Sequence, residues 1–207
     1  MIASALADHG PVIPVIVIER LADAVPLAEA LLSGGVRVLE VTLRTPVALR
    51  AIEAIARALP EAIVGAGTVR AVADVEAAAA AGCRFVVSPG YAAALGAACA
   101  ERGLAFLPGV ATASEVMHAA ADGHRFLKFF PAAAAGGVAM LKALAGPFAD
   151  VAFCPTGGID ADSAPAYLAL PNVRVVGGSW LTPAAAVATG DWLRITALAR
   201  SAASLRP

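Results

Sequence analysis

The sequence is poor in charge, aromatic residues, cysteine and lysine, and each scarcity excludes something. Charged residues make up 15% of its 207 positions and the formal net charge is -1. No global positive field therefore invites nucleic acid or an acidic membrane surface, and any bound anion must be held by a local site. The three cysteines, Cys83, Cys99 and Cys154, stand apart, with no CxxC pair or Cys/His cluster. Neither a zinc site nor a disulfide framework is indicated, and a reduced, cytoplasmic setting fits. His9, His118 and His124 are scattered, without partners at metal-ligand or triad spacing, so no metal and no cofactor is expected. The opening MIASALADHG has neither the basic start nor the apolar run of a secretory signal. No apolar run approaches the roughly 20 residues of a membrane span.

Apolar residues are abundant, at 59%, which excludes a disordered chain and points to elements buried on most sides. Short β-branched runs alternate with longer Ala/Leu-rich stretches. The predicted strands are 11–18, 36–42, 62–68, 83–89, 104–109, 124–130, 151–156 and 173–178, with helical stretches between them and a final helix near 184–203. Eight β/α pairs at about 25 residues per unit predict an α/β chain folded as a single (β/α)8 TIM barrel over residues 1–207. The alternative is an open doubly wound sheet. Its GxGxxG fingerprint is missing, and GAGTVR at 65–70 imitates only the start. Locally, Thr45 is expected to cap a helix with Pro46 in its first position. Ile52, Ile55 and Leu59 should share its buried face, and Glu53 should pair with Arg57. The preceding helix should end at Ser33, with Gly34 in a left-handed closing conformation. Pro26 is placed in a first turn.

In a closed barrel, reactive groups gather at the C-terminal strand ends, and alternation along each strand decides which side chains share a face. Val38, Glu40 and Thr42 share one face of the second strand. Glu40 therefore points into the barrel, as a working carboxylate or as a structural one satisfied by nearby donors. The chain holds only two lysines. Lys142 falls near a helix end and reads as a solvated group. Lys128 sits in RFLKFFP, on one face with Phe126 and Phe130. Burial among aromatics disfavours an ammonium, and a neutral amine attacks carbonyl carbon; the alternative is a structural lysine paired with a carboxylate. Two glycine-rich strand ends, CPTGGID (154–160) and VVGGSW (175–180), stand where barrels commonly place a phosphate, with Thr156 and Ser179 as added hydroxyl donors. Arg44 and Thr68 end strands at the same mouth. Cys154 reads as a small packed side chain, and Trp180 and Trp192 as core or subunit contacts.

GGVRVLEVTLRTP (34–46), VGAGTV (64–69), FVVSPG (85–90), FLPGV (106–110), LKFFPA (127–132), GPF (146–148), CPTGGI (154–159) and GGSWL (177–181) together resemble the 2-keto-3-deoxy-6-phosphogluconate (KDPG) aldolase family, in order and spacing, over roughly residues 11–200. The resemblance implies a (β/α)8 barrel, usually a homotrimer, acting on a small phosphorylated 2-keto acid. It implies Lys128 as the Schiff-base lysine and Glu40 as general acid/base. Arg44 and Thr68 would hold the pyruvate carboxylate, with Pro89 and Phe130 shaping that pocket. Thr156, Gly157, Gly158, Gly178 and Ser179 would form the phosphate end. In such a reaction the iminium does the polarising that a metal does in the other aldolase class. Some members carry a basic residue at the end of the first strand, where this chain has Val17; Arg20 is offset from it. The alanine run at 132–135 also departs from more polar versions of that loop. Within the same class, 4-hydroxy-2-oxoglutarate (KHG) is the neighbouring substrate. A metal-free sugar-phosphate isomerase or epimerase would use the glycines and Glu40 but leave Lys128 idle, and a non-catalytic barrel would bind without turnover.

Overall fold

The computed structural model describes residues 3–205. Its strand segments are β1 (Val12–Ile16), β2 (Val38–Thr42), β3 (Ile63–Gly67), β4 (Phe85–Val87), β5 (Ala105–Leu107), β6 (Gly109–Val110), β7 (Phe126–Phe129), β8 (Ala152–Pro155) and β9 (Val176–Gly178). All of their pairings are parallel. One sheet runs β5-β4-β3-β2-β1-β9 and another β6-β7-β8. β5 and β6 are two halves of the predicted fifth strand, parted at Pro108, which has no N–H to give the ladder. The Pro108 carbonyl still accepts the Lys128 N–H at 2.8 Å. Bridges from Phe153 to Val173 and from Thr156 to Gly177 carry β8 across to the β9 side. The ring thus closes as a (β/α)8 barrel.

Around it lie α1 (Ala24–Ser33), α2 (Ala48–Ala58), α3 (Val72–Ala80), α4 (Ala93–Glu101), α5 (Ala113–Ala121), α6 (Gly137–Ala145), α7 (Ala164–Leu168), α8 (Ala184–Thr189) and α9 (Trp192–Ala203). Strand alternation sorts the core into two layers. Leu39, Val41, Val64, Ala66, Val86, Leu127 and Phe129 face outward and pack under the helices. Ile13, Val38, Ile63, Phe85, Val87 and Phe126 face inward and fill the barrel. Its lower end is closed by Leu6, fully buried on a 3-10 helix, Ala3–His9. The upper end carries Glu40 and Lys128 on the same inward parity.

Several local expectations need correction. Thr45 does not cap α2. Its hydroxyl donates to the Ile18 carbonyl at 2.6 Å, and the helix begins beyond it, with Val47 at the cap and Pro46 outside. α1 does end at Ser33, but Gly34 has φ -85 and the left-handed residue is Gly35, φ 91. Gly34 is required for another reason: a Cβ there would lie 2.3 Å from that of Ala199, where α1 meets α9. The predicted final helix is two, because Gly190 turns left-handed, φ 68, and Asp191 restarts the helix by accepting the Arg194 N–H at 3.1 Å. The eighth strand is shorter than 173–178, with Val173 contributing only a bridge. Pro26 lies in the first turn of α1, Ile52 and Ile55 are buried, and Arg57 meets Glu53 at 2.8 Å.

Candidate active site

Glu40 projects from β2, registered between Val15 of β1 and Gly65 of β3. Lys128 projects from β7, registered between Gly109 of β6 and Cys154 of β8. Barrel closure brings these distant positions together: Lys128 Nζ donates to Glu40 Oε1 at 3.3 Å. Lys128 is 5% exposed and Glu40 2%. The two sequence readings of Lys128, nucleophile and paired lysine, therefore meet in one geometry. Desolvating such a pair costs several kcal/mol per ion in typical proteins, roughly offset by the attraction, so stability alone gives little reason for it. A carboxylate within reach of an amine is, however, what proton transfer requires. Nζ also lies 5.2 Å from the centroid of the Phe130 ring. Cys154, beside the pair, is buried. Burial pushes its thiol up to about 12, against the pull of Lys128 and the Thr156 hydroxyl, so it stays a protonated, packed thiol.

Above Lys128 opens a cavity of about 260 Å³. It is lined by Arg44 after β2, Phe130 after β7, Thr156, Gly157 and Gly158 after β8, and Gly178 and Ser179 at the end of β9. Thr68, at the end of β3, has φ 61, the one non-glycine among the described residues with positive φ. A β-branched side chain there is strained, typically by about 1–3 kcal/mol. That conformation places the Thr68 hydroxyl 3.1 Å from Arg44 Nε, which donates to it. Gly157 and Gly158 are left-handed, φ 101 and 73, and a Cβ on Gly158 would meet Ala133 at 2.6 Å. The Trp180 ring covers Gly178 so closely that a Cβ would lie 1.7 Å from it.

The chain matches the model of the KDPG and KHG aldolase family over residues 3–198. It belongs to that family. It is 54% identical to a 2-dehydro-3-deoxy-phosphogluconate aldolase of Pseudoalteromonas atlantica, over 94% of this chain and 91% of the relative. Its fold superposes with a TM-score of 0.94 on the KDPG aldolase of Legionella pneumophila, solved with pyruvate captured as a covalent carbinolamine; identity is 50%, covering 97% of each chain. A second superposition, TM-score 0.92 at 49% identity, is with the Zymomonas mobilis enzyme holding 3-phosphoglycerate, over 98% of this chain and 95% of that one.

Within this family member the structure gathers most of the candidates but not all. Arg44, Phe130, Thr156, Gly157, Gly158, Gly178 and Ser179 share the cavity with Lys128; Glu40 joins from beneath it and Thr68 through Arg44. Pro89 is outside that lining: its carbonyl packs over Gly109, where a Cβ would lie 2.3 Å from the oxygen. Arg20 is held by Asp23 at 2.8 and 2.9 Å and does not stand in for a cation at Val17. Sequence reasoning missed two glycines that make the site possible. A Cβ on Gly67 would sit 2.2 Å from Glu40 Oε1, and one on Gly177 would sit 2.2 Å from Thr156 Oγ1. Their signal was present: glycine inside a strand marks a close approach by a neighbour. Val15, which also lines the cavity, gave no signal beyond strand hydrophobicity; Val17 lines it too, at the position the family resemblance had singled out.

Proposed function

We propose that this chain is a class I aldolase that cleaves 2-keto-3-deoxy-6-phosphogluconate to pyruvate and glyceraldehyde 3-phosphate through a Schiff base on Lys128. The observation that carries the assignment of the residue is the buried Lys128–Glu40 pair beneath a cavity lined by the glycine loops and Arg44. The carbinolamine trapped in the Legionella pneumophila relative is the first covalent species such an amine forms with a keto acid.

Lys128 Nζ adds to the C2 ketone, and Glu40 takes up the proton the amine loses and returns one as the carbinolamine expels water. The resulting iminium withdraws electrons from C3. Removal of the C4 hydroxyl proton turns that oxygen into a carbonyl, the C3–C4 bonding pair moves into an enamine, and the aldehyde leaves. Protonation at C3 and hydrolysis release pyruvate and free Lys128. Arg44, positioned by Thr68, pairs with the substrate carboxylate, and Phe130 packs beside the reacting carbons. Gly157, Gly158, Gly178 and Ser179 offer backbone N–H groups, and Thr156 a hydroxyl, to the phosphate. Pro89, after β4, packs its carbonyl on Gly109 and shapes the pyruvate side of the pocket from there.

Incubation with pyruvate and borohydride, followed by intact mass and peptide mapping, tests this directly. A reduced pyruvyl adduct on the Lys128 peptide is the expected result; an unmodified chain, or an adduct on Lys142 alone, refutes it. The family's own description includes KHG, so relative kcat/KM on the two substrates measures how the activity divides. The barrel is proposed as one domain, since its strands close on themselves within the described residues. Assembly as a homotrimer rests on the family resemblance, and sedimentation tests it; a cytoplasmic setting is proposed from the three isolated cysteines. No helix among the described residues is long and apolar enough to cross a membrane.

A further inference from the structure

The cavity over Lys128 borders a second opening. Val15, Val17 and Ser179 line the cavity, and the same three residues line a larger groove of about 560 Å³ that runs on toward α8. Val17 stands at the junction, 38% exposed. Pro183, Ala184 and Val187 form the far apolar wall. The ionic side chains on the groove are Glu19, Arg20 and Asp23, one cation against two carboxylates. Arg20 is already committed: Nε and Nη2 donate to the two Asp23 oxygens at 2.8 and 2.9 Å, and Nη2 reaches the Ala188 carbonyl at 3.4 Å. A phosphate dianion pushed beyond Ser179 would therefore meet valine, proline and alanine walls and a rim of net negative sign. An uncharged hydrocarbon chain would meet the same walls with only water to displace.

From this geometry we infer that the aldehyde half of the substrate has a second mode of binding, in which an uncharged apolar tail passes Val17 into the groove toward α8. The chain then makes and cleaves 4-hydroxy-2-keto acids whose C4 bears an alkyl or arylalkyl group, in addition to the phosphorylated substrate. The inference rests on the proposed Schiff-base reading and adds no new chemistry. The pyruvate enamine's C3 attacks the aldehyde carbon, the carbonyl oxygen takes a proton, and hydrolysis of the iminium frees the product and Lys128. No oxidant or reductant enters.

The test measures initial rates of addition of pyruvate to propanal, pentanal, heptanal and glyceraldehyde 3-phosphate, with the borohydride adduct determined on the same preparation. Expected is a rise in kcat/KM along the alkanal series of about threefold to fourfold per buried methylene. Ala184→Glu places a charge on the apolar wall, at an exposed helical position outside the Lys128 cavity. It should lower the ratio of the heptanal to the glyceraldehyde 3-phosphate kcat/KM by about tenfold, with the circular dichroism of the parent. A flat alkanal series overturns the inference, as does an unchanged ratio in a folded Ala184→Glu variant. If that variant does not fold, the series in the unaltered enzyme decides alone. A flat series with the adduct present removes only this inference; loss of the adduct removes the Schiff-base reading with it.

Discussion

The two ends of the barrel are built from the same inward parity of the same strands, yet they are packed by opposite rules. At the lower end the inward side chains are Ile13, Val38, Ile63, Phe85 and Phe126, sealed by Leu6, and the space is filled with hydrocarbon. At the upper end the inward side chains include Glu40, Lys128 and Thr156, and glycines at 67 and 177 remove the Cβ atoms that would crowd them. The lower end gains stability from close packing. The upper end buries an ion pair of little net benefit to stability, holds Thr68 in a strained backbone conformation, and leaves a cavity open. Stability and chemistry are thus assigned to different ends, and substitutions can separate them.

The largest effect is expected from Lys128→Ala, which should abolish cleavage, because nothing else among the described residues places an amine on Glu40. Removing one partner of a buried pair typically costs about 3–5 kcal/mol by stranding the other charge. The double variant Lys128→Met with Glu40→Gln should recover most of that stability and none of the activity, as read by denaturant unfolding and pyruvate release. Turnover by either variant would take Lys128 out of the mechanism. Next comes Glu40→Gln, which keeps the shape and loses the base. A loss of about 10²–10⁴-fold in kcat is expected, with the borohydride adduct still forming slowly; an unchanged rate would leave Glu40 a purely structural role.

Gly67→Ala should act at the upper end without replacing any catalytic side chain. Its Cβ would overlap the Glu40 carboxylate, so the carboxylate must move, and a misplacement near 1 Å can cost about 10²-fold in rate. The outcome that contradicts this is a normal kcat. Leu6→Ala is the counterpart below. It should lower unfolding free energy by about 2–5 kcal/mol while kcat at a temperature well below the melting transition stays within a factor of about two. A comparable fall in kcat would show that the two ends are coupled.

The division between the ends was partly legible in the sequence. Period-two alternation fixes which residues point inward, so Glu40, Lys128 and Phe126 could be placed on one side of the strand wall before any coordinates. What alternation lacks is the partner across the barrel, since closure sets β2 opposite β7 across the lumen although neither pairs with the other in the sheet. The break at Pro108 was present in LAFLPG as a proline inside a strand run. Thr45 misled because its hydroxyl satisfies the Ile18 carbonyl instead of a helix N-terminus. Gly34 misled because a glycine after a helix suggests a left-handed turn, whereas here it makes room for α9. The positive φ of Thr68 depends on tertiary surroundings that no local pattern encodes, whereas the Arg20–Asp23 pair is an i,i+3 contact that the sequence already held.

The smallest effects should appear in the pH dependence of stability, at groups outside the Lys128 cavity. His124 lies edge-on to the rings of Phe106 and Tyr91. Burial lowers its pKa below the ordinary 6.5, against an opposing pull from Asp122. The unfolded chain therefore binds this proton first, and the stability that a neutral His124 contributes is lost as pH falls below 6.5 toward the folded value. Glu115 caps α5, accepting the Ala111 and Thr112 N–H groups at 2.7 and 2.9 Å, while Thr112 Oγ1 accepts the Glu115 N–H. Those bonds, the Ala111 N–H foremost, lower its pKa from 4.5. Its contribution is complete above that value and disappears as pH falls through the folded one. His124→Gln should therefore flatten the upper limb of a stability-pH curve and Glu115→Gln the lower limb. Both variants should keep the parent dependence of kcat on pH, because neither group lines the Lys128 cavity. A changed kcat profile would tie these groups to the chemistry; two unchanged limbs would show that they do not set the acid sensitivity of the fold.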